Sequence, residues 1–244
     1  MDRLQEQREL VALSSRILGK LDLTKSTSGH VSARVAGADT FLIRARGPAE
    51  TGVRYTGPGD IILVDLDGKK IEGPDDLDPP QEVYIHSWLY RTRDDVNSVI
   101  HIHPATVVLF TICRKPLLPI YGAYDPTSIR LLMQGIPEYE RSITVSNDEL
   151  GREFAGVMGD KPACLMRSHG ITTAGATVEE ATVTAIKLNE LAEMNYRAAL
   201  LGTPHPIPDE EIAVITRTRR KRGNATESSW RYYRTLAGEE DPPP

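Results

Sequence analysis

Two histidines at the end of a short run of strand-forming residues are the side chains best suited to chemistry. His101 and His103 follow directly on residues 96–100, which we predict to form a β-strand. Alternate residues of a strand share a face, with Cα atoms about 6.5 Å apart, so both imidazoles can coordinate one cation. The pair therefore predicts half of a metal site.

A third histidine and a carboxylate can complete that site. His169 follows a second short apolar run, 163–166, and Glu82 precedes the histidine pair in the sequence. Three imidazoles and one carboxylate suffice for a catalytic metal centre. A lone histidine near a strand end is more often a hydrogen-bonded structural residue. Spacing alone therefore leaves the metal site and the structural interpretation both open.

Charge and composition exclude several classes of function. The 244 residues carry a net charge of −5, so no overall basic field attracts nucleic acid. The basic run at 217–222 is typical of a solvated helix end or an interface element. No apolar stretch approaches the roughly 18 residues that cross a membrane, and residues 1–9 lack the apolar core of a signal peptide. We expect a cytoplasmic protein that binds neither nucleic acid nor membrane.

The chain shows no linker or internal repeat that would divide it. Its length allows one large domain with a full core. The two cysteines, Cys113 and Cys164, lie in apolar surroundings without CxxC spacing, which is typical of reduced thiols. We predict a main domain over 1–205, followed over 206–244 by a helical segment and a tail that is disordered from Glu239 onward.

Periodicity and turn residues predict helices alternating with strands, which indicates the α/β class. An amphipathic helix covers 2–20, and the close spacing of the next three strands favours antiparallel pairing. A helix over 81–93 places Glu82 in its first turn and His86 one turn later on the same face. The other predicted strands are 31–35, 41–45, 61–67, 117–121, 142–145 and 163–166, and the other predicted helices are 104–113, 126–134, 147–158, 177–201, 209–216 and 225–236.

Four motifs occur in an order that matches a known family. They are Gly29-His30-Val31-Ser32-Ala33-Arg34, Pro80-Gln81-Glu82 with His86, His101-Ile102-His103-Pro104 and Ser168-His169-Gly170. Over roughly residues 5–205 the chain resembles the class II aldolase/adducin family. The resemblance implies a single α/β/α three-layer domain with a mixed, mostly antiparallel central sheet. It also implies a homotetramer with active sites between subunits.

The same resemblance implies roles for the site residues. The metal ligands would be His101, His103 and His169, with Glu82 as an acid/base that can also approach the metal. Three neutral imidazoles suit Zn²⁺, with Mn²⁺, Fe²⁺ and Co²⁺ as alternatives. Adducin-like relatives lack these histidines and act as interaction modules. Their presence here favours an enzyme.

The segments that bind phosphate in the sugar-phosphate enzymes of the family differ in this chain. It offers Gly29-His30, Arg46-Gly47 and Pro80-Gln81 where those enzymes have hydroxyl- and amide-bearing pairs. The guanidinium of Arg46 suits a planar carboxylate, which indicates a small carboxylated substrate. Ordinary surface solvation is the alternative for three arginines, Arg44, Arg46 and Arg54.

Residues 43–47, 50–54 and 121–125 resemble the decarboxylase branch of the family, whose members act on substrates such as 3,4-dihydroxyphthalate. We therefore expect a metal-dependent decarboxylase of a carboxylated dihydroxy-aromatic acid, in aromatic catabolism such as phthalate degradation. Two alternatives stay open. One is decarboxylation of a carboxymuconic semialdehyde-type hydroxydienoate, and the other is aldol cleavage that releases an aldehyde.

Loss of CO₂ leaves a carbanion that needs a proton. Glu82, or His86 one helical turn away, can supply it, although His86 can equally be a packed residue beside the site. The aromatic stretch near the C-terminus includes Tyr232, and in the family this segment can reach the active site. The expected substrate-binding residues are Gly29, His30, Arg46, Gly47 and Tyr232.

Overall fold

An eight-stranded sheet forms the centre of the protein, seen in a computed structural model that describes residues 3–217 and 222–239. The strands are β1 His30–Arg34, β2 Thr40–Arg44, β3 Ile61–Asp65, β4 Lys70–Glu72, β5 Ser98–Ile102, β6 Glu138–Tyr139, β7 Ala163–Met166 and β8 Gly170–Gly175. Their order is β4-β3-β2-β1-β5-β8-β7-β6. Every neighbouring pair is antiparallel except β6 and β7. The predicted mixed, mostly antiparallel sheet is confirmed.

Helices cover both faces of this sheet. They are α1 Arg3–Lys20, α2 Val83–Thr92, α3 Ala105–Ile112, α4 Pro126–Met133, α5 Asp148–Met158, α6 Val178–Leu201, α7 Asp209–Arg217 and α8 Arg222–Leu236. One apolar core lies under α2 and α5, around residues such as Ile85 and Phe154. A second lies on the opposite face under the other helices, around Ile17 and Leu188. The three α/β/α layers agree with the prediction.

Two of the predicted strands are wrong because their backbone groups bond to side chains instead of to the sheet. At 117–121, the N–H of Leu118 donates to Asn195 Oδ1 over 2.9 Å, and Asn195 Nδ2 donates back to the Leu118 carbonyl over 3.1 Å. At 142–145, the N–H of Val145 donates to the carboxylate of Glu82. The sequence patterns also missed β4, β6 and β8, of which two have three residues or fewer.

The C-terminal segment packs on the same core as α6. Ile212, Trp230 and Tyr233 are buried against it, although the division at residue 205 stays a prediction. The predicted disorder is wrong for Glu239, whose carboxylate pairs with Arg16 and Lys20 of α1 at 2.8 and 2.7 Å. The rest of the predicted tail, 240–244, and residues 218–221 of the basic run lie outside the described residues. Within the described ranges no helix is long and apolar enough to cross a membrane.

Helix α2 matters most for the site because it covers β1 and β5 and starts beside Glu82. Its buried apolar side chains include Val83, Ile85 and Leu89. Helix α5 packs against α2, and the two helices approach each other closely at Gly151 of α5. A methyl group there would lie 2.7 Å from the carbonyl oxygen of Tyr84. The absent side chain therefore sets the distance between the two helices.

This contact gives a stability prediction. We expect Gly151→Ala to lower the free energy of unfolding by about 1–3 kcal/mol, because the backbone of α2 must move away. Gly156→Ala on the same helix is the matched control, since its new methyl group meets no atom within 4 Å. That variant should gain about 0.5–1 kcal/mol from helix propensity alone. Urea denaturation compares them, and equal effects of the two variants would contradict the packing argument.

Candidate metal centre

Strand β5 and the residue after it carry the two alternating histidines. His101 is fully buried and His103 half-buried, and both point to the face covered by α2 and α5. Their Nε2 atoms are 2.9 Å apart. The alternation of side chains along an extended chain thus brings two imidazole nitrogens to one point, as the spacing predicts.

The tight turn between β7 and β8 carries His169. The N–H of Ser168 donates to Thr111 Oγ1 over 3.0 Å, and that of His169 donates to the Met166 carbonyl over 3.1 Å. Gly170 follows at a point where a Cβ atom would lie 2.4 Å from the carbonyl oxygen of Ile102. Only glycine allows the turn to approach β5 this closely, which brings His169 to the histidine pair.

Glu82 supplies the fourth ligand atom from another part of the chain. The structure places it just before the first residue of α2, rather than in the first turn as predicted. Its Oε2 is 3.1 Å from His101 Nε2 and 3.4 Å from His169 Nε2. Its Oε1 accepts the N–H of Val145 over 3.0 Å. The carboxylate is therefore held at one oxygen and directed at the imidazoles with the other.

These four side chains form a site that can hold a metal ion. One ligand atom from each of Glu82, His101, His103 and His169 lies within 4.8 Å of all the others. Zn–N bonds of about 2.0–2.1 Å imply a tetrahedron with edges of about 3.3 Å. Three of the separations between ligand atoms, 2.9, 3.1 and 3.4 Å, are close to that value. Lone pairs crowded in this way repel one another unless a cation or shared protons lie between them. The donor set thus fits a divalent cation.

The electrostatics favour the protonation states that ligands need. Burial by itself would raise the pKa of the Glu82 carboxyl. The imidazoles of His101 and His169 outweigh this effect and hold that pKa well below its usual range. Burial, together with the neighbouring His101 and His169, lowers the pKa of His103 to about 3. At neutral pH the site therefore offers a carboxylate and a neutral imidazole, the forms that coordinate metals.

Residues that support these ligands were not found from the sequence. Thr172 Oγ1 lies 3.3 Å from His101 Nδ1, where it can orient the ring. Thr172 is the residue of β8 that pairs with His101 of β5. Because β8 was not predicted from the sequence, this pairing was not predicted either. The Nδ1 atom of His169 is buried without a partner among the described residues. Val145 holds Glu82, and Thr111 holds the turn that carries His169. Neither role could be predicted from the sequence around these two residues.

His30 and His86 lie beside the four-residue cluster and bond to each other. His30 Nδ1 is 2.6 Å from His86 Nε2, and the His30 ring centroid is 5.2 Å from that of His101. Burial lowers the pKa of His86 to about 3 and, with His86 as its neighbour, holds that of His30 well below its ordinary value. The structure thus directs His86 at β1 rather than into the cluster with Glu82.

The arginines near the expected substrate loop share one carboxylate. Glu50 pairs with Arg44 and, over 2.9 Å, with Arg46, whose Nη2 also donates to Thr27 Oγ1 over 2.9 Å. Arg44 is 2% exposed, so the surface interpretation is wrong for this residue. Arg46 is 41% exposed at its side chain. It therefore keeps an accessible guanidinium face while Glu50 and Thr27 fix its position.

The two expected glycines lie next to these arginines. Gly29 directly precedes β1, and its carbonyl accepts a hydrogen bond from Arg44 over 3.1 Å. Gly47 follows a backbone bridge between Arg46 and Asp78. Arg44 and Arg46 thus connect the segment that leads to His30 with the segment that leads to Gly47.

Tyr232 does not join this cluster within one chain. It is 60% exposed and borders a separate cavity of about 530 Å³ with Tyr121, Tyr124 and Lys187. None of the residues that line this cavity belongs to the four-residue cluster. The expected role of Tyr232 in substrate binding stays a prediction.

Metal analysis of variants tests the candidate centre. We expect His101→Ala and His103→Ala to lose most bound metal while keeping their secondary structure, because each removes one of four ligand atoms. His205→Ala is the control, since this histidine is exposed on a loop away from the cluster. Elemental analysis and circular dichroism measure both properties, and full metal occupancy in both strand variants would contradict the assignment.

The comparisons with known proteins agree with the fold. The family model for the class II aldolase and adducin N-terminal domain matches residues 8–196. A 3,4-dihydroxyphthalate decarboxylase from Arthrobacter keyseri is 37% identical over 214 residues, 85% of each chain. A 5-deoxy-D-ribulose 1-phosphate aldolase from Bacillus thuringiensis is 26% identical, over 87% of this chain and 94% of the aldolase.

Among solved structures, an aldolase II superfamily protein from Pseudomonas syringae superposes with a TM-score of 0.84 at 23% identity, covering 97% of this chain and 94% of that protein. This similarity concerns the fold. The matched family model spans the whole sheet, all four cluster residues and most of α6. The chain therefore belongs to the class II aldolase and adducin family.

Proposed function

We propose that this protein is a divalent-metal-dependent decarboxylase of a carboxylated dihydroxy-aromatic acid such as 3,4-dihydroxyphthalate. The observation that carries this choice is the 37% identity, over 85% of both chains, to an enzyme of that name. The proposed ligands are His101, His103, His169 and, before substrate arrives, Glu82. The proposed ion is Zn²⁺, with Mn²⁺, Fe²⁺ or Co²⁺ as alternatives. When bound, the ion supplies an electrophilic centre that draws charge from a substrate oxygen.

Glu82 is proposed to carry the proton. As an ionised carboxylate held by Val145, it can take the proton of a substrate hydroxyl. The bond between the ring carbon and the carboxyl carbon then breaks, CO₂ leaves, and the electron pair stays on the ring. Glu82 returns its proton to that carbon. One proton moves from oxygen to carbon, so the step needs no oxidant or reductant.

Arg46 is proposed to bind a carboxylate of the substrate. Arg44 and Arg46 together carry two positive charges and share the single negative charge of Glu50. The remaining charge and the exposed face of Arg46 suit a second anion. The loops that contain Gly29 and Gly47 would line the same substrate pocket.

Aldol cleavage of a sugar phosphate is the second candidate, supported by the 26% identity to a ribulose-phosphate aldolase. In both reactions negative charge develops beside a substrate oxygen, and a divalent cation held by the four cluster residues would stabilise that charge, so one centre would serve either reaction. The presence of His30 and Arg46 where the family resemblance implies phosphate-binding amide and hydroxyl groups favours the decarboxylase. Decarboxylation of a hydroxydienoate ranks behind the aromatic acid because the relative has an aromatic substrate in its name.

The assembly and the location remain part of the proposal. A cytoplasmic homotetramer, as the family resemblance implies, would bring Tyr232 of one subunit towards the substrate pocket of its neighbour. We propose a small carboxylated molecule as substrate and neither nucleic acid nor membrane as partner.

A substrate screen tests the function. Purified protein loaded separately with Zn²⁺, Mn²⁺, Fe²⁺ and Co²⁺ would receive 3,4-dihydroxyphthalate, a carboxymuconic semialdehyde or a sugar 1-phosphate. Release of CO₂ and of aldehyde is measured in each reaction. We expect CO₂ from the dihydroxyphthalate. Aldehyde from the sugar phosphate without CO₂ from either carboxylated substrate would overturn the decarboxylase and support the aldolase.

The role of Glu82 gives a kinetic prediction. Glu82→Gln should lower kcat by about 10²-fold or more, because the amide keeps the size of the side chain but cannot carry the proton. Most of the metal should remain on the three histidines, as elemental analysis would show. A variant with bound metal and nearly normal kcat would exclude Glu82 as the proton carrier.

The role of Arg46 predicts a different kinetic effect. Arg46→Ala should raise KM by about tenfold or more with a smaller change in kcat, because the lost contact binds the substrate carboxylate before reaction. Arg54→Ala is the matched control, since Arg54 pairs with Asp22 near the end of α1. Steady-state kinetics on the dihydroxyphthalate compare the two. Similar KM values in both variants would argue against carboxylate binding by Arg46.

A further inference from the structure

Four buried polar side chains form a continuous chain of contacts between α2 and β1. His30 Nδ1 is 2.6 Å from His86 Nε2, and His86 Nδ1 is 2.6 Å from Ser32 Oγ. Ser32 Oγ is in turn 2.6 Å from the hydroxyl of Tyr90. All four residues are at most 3% exposed. Each short contact needs one donor and one acceptor, so the protons along this chain are not independent.

Tyr90 determines which atom donates in each of these hydrogen bonds. Among the described residues, Ser32 Oγ is the one acceptor that the structure gives to its hydroxyl, so Tyr90 donates to Ser32. Ser32 has a single proton and two acceptors in reach: His86 Nδ1 at 2.6 Å and the carbonyl of Val99 at 3.3 Å. The shorter contact takes the proton. His86 Nδ1 is therefore an acceptor and carries no proton.

The proton of His86 then lies on Nε2, which donates to His30 Nδ1. Two adjacent imidazoles in a buried site cannot both be cations, because each charge would lose its hydration and repel the other. A neutral His30 that accepts at Nδ1 must carry its own proton on Nε2. Within the described chain Nε2 has no partner, and the ring lies 5.2 Å, centre to centre, from the ring of His101.

We propose that Tyr90, Ser32 and His86 fix the proton of His30 on Nε2, so that His30 presents an N–H donor to an anionic oxygen of the substrate beside the metal centre. This rests on the proposed function, since it assigns the substrate a carboxylate or phenolate oxygen at that place. His86 is then a positioning residue rather than a proton donor to carbon, because both of its ring nitrogens are engaged within the protein.

The tautomer can be observed without turnover. In the Zn²⁺-loaded protein labelled with ¹⁵N-histidine, nitrogen chemical shifts distinguish a protonated Nδ1 from a protonated Nε2, and the His30→Gln variant identifies the signals of His30. We expect a neutral ring protonated at Nε2. A ring protonated at Nδ1, or an imidazolium, at neutral pH would overturn the proposal. Because this measurement needs no substrate, it is independent of whether the proposed reaction is correct.

Two variants separate the direction of the chain from simple packing. Tyr90→Phe removes the donor to Ser32 but leaves Ser32 able to donate to His86 Nδ1, so the second tautomer of His30 should appear to a smaller extent, and kcat/KM should fall less, than in Ser32→Ala. Ser32→Ala removes the donor to His86 Nδ1. It should allow the second tautomer of His30 and lower kcat/KM by about tenfold or more, with metal retained.

Ser87→Ala is the control for loss of a buried serine hydroxyl, since Ser87 lies on α2 and its hydroxyl donates to the Val83 carbonyl. It should leave the His30 signals and kcat/KM unchanged. If Ser32→Ala left the His30 signals unchanged, or if Tyr90→Phe changed them as much as Ser32→Ala, the proposed direction of the chain would be wrong.

Discussion

The convergence of four ligand atoms at one buried point is the constraint on which the rest of this structure depends. Glu82, His101, His103 and His169 each direct a ligand atom at the same small volume. Such an arrangement is unfavourable unless a cation or shared protons lie between the ligand atoms, because acceptor atoms crowd together away from water. The fold must therefore hold three separate chain segments in place against that repulsion.

Each segment is held by a different device. The alternation of side chains along β5 and the residue after it aligns His101 with His103. The β7–β8 turn approaches β5 because Gly170 has no side chain, and the Val145 N–H holds Glu82 at the start of α2. Packing of α5 against α2 keeps that start in position. The rigidity of the ligands thus comes from strand pairing, a close backbone contact and helix packing rather than from the ligands themselves.

The same face of the sheet organises the surroundings of the metal centre. Arg44 is buried and connects Glu50 with the carbonyls of Thr27 and Gly29, so the loop before β1 is tied to the segment that contains Arg46. On the other side of His30, the hydroxyl and imidazole chain from Tyr90 runs along α2. His30 thereby has a buried partner in His86, and Arg46 is held by Glu50 and Thr27.

The sequence alone determined the features that depend on local spacing or on ordered motifs. The alternation of His101 and His103 predicted their common face, and the four motifs predicted the family, the three layers and the mostly antiparallel sheet. Most helices and strands also followed from periodicity. The predicted strands at 117–121 and 142–145 were wrong because a local apolar pattern does not show that Asn195 or Glu82 will take the backbone hydrogen bonds.

Only the tertiary structure decided which distant groups meet. His86 bonds to His30 and Ser32, and Glu50 lies between two arginines. Thr172 faces His101 across two strands. These contacts depend on residues far apart in the sequence or on strand register. A side chain's type limits what it can bind, but burial and geometry select its partner. Sequence spacing therefore indicated the ligand types of the candidate centre, whereas strand pairing, the close approach at Gly170 and the packing of α2 decided the directions of the rings and the carboxylate.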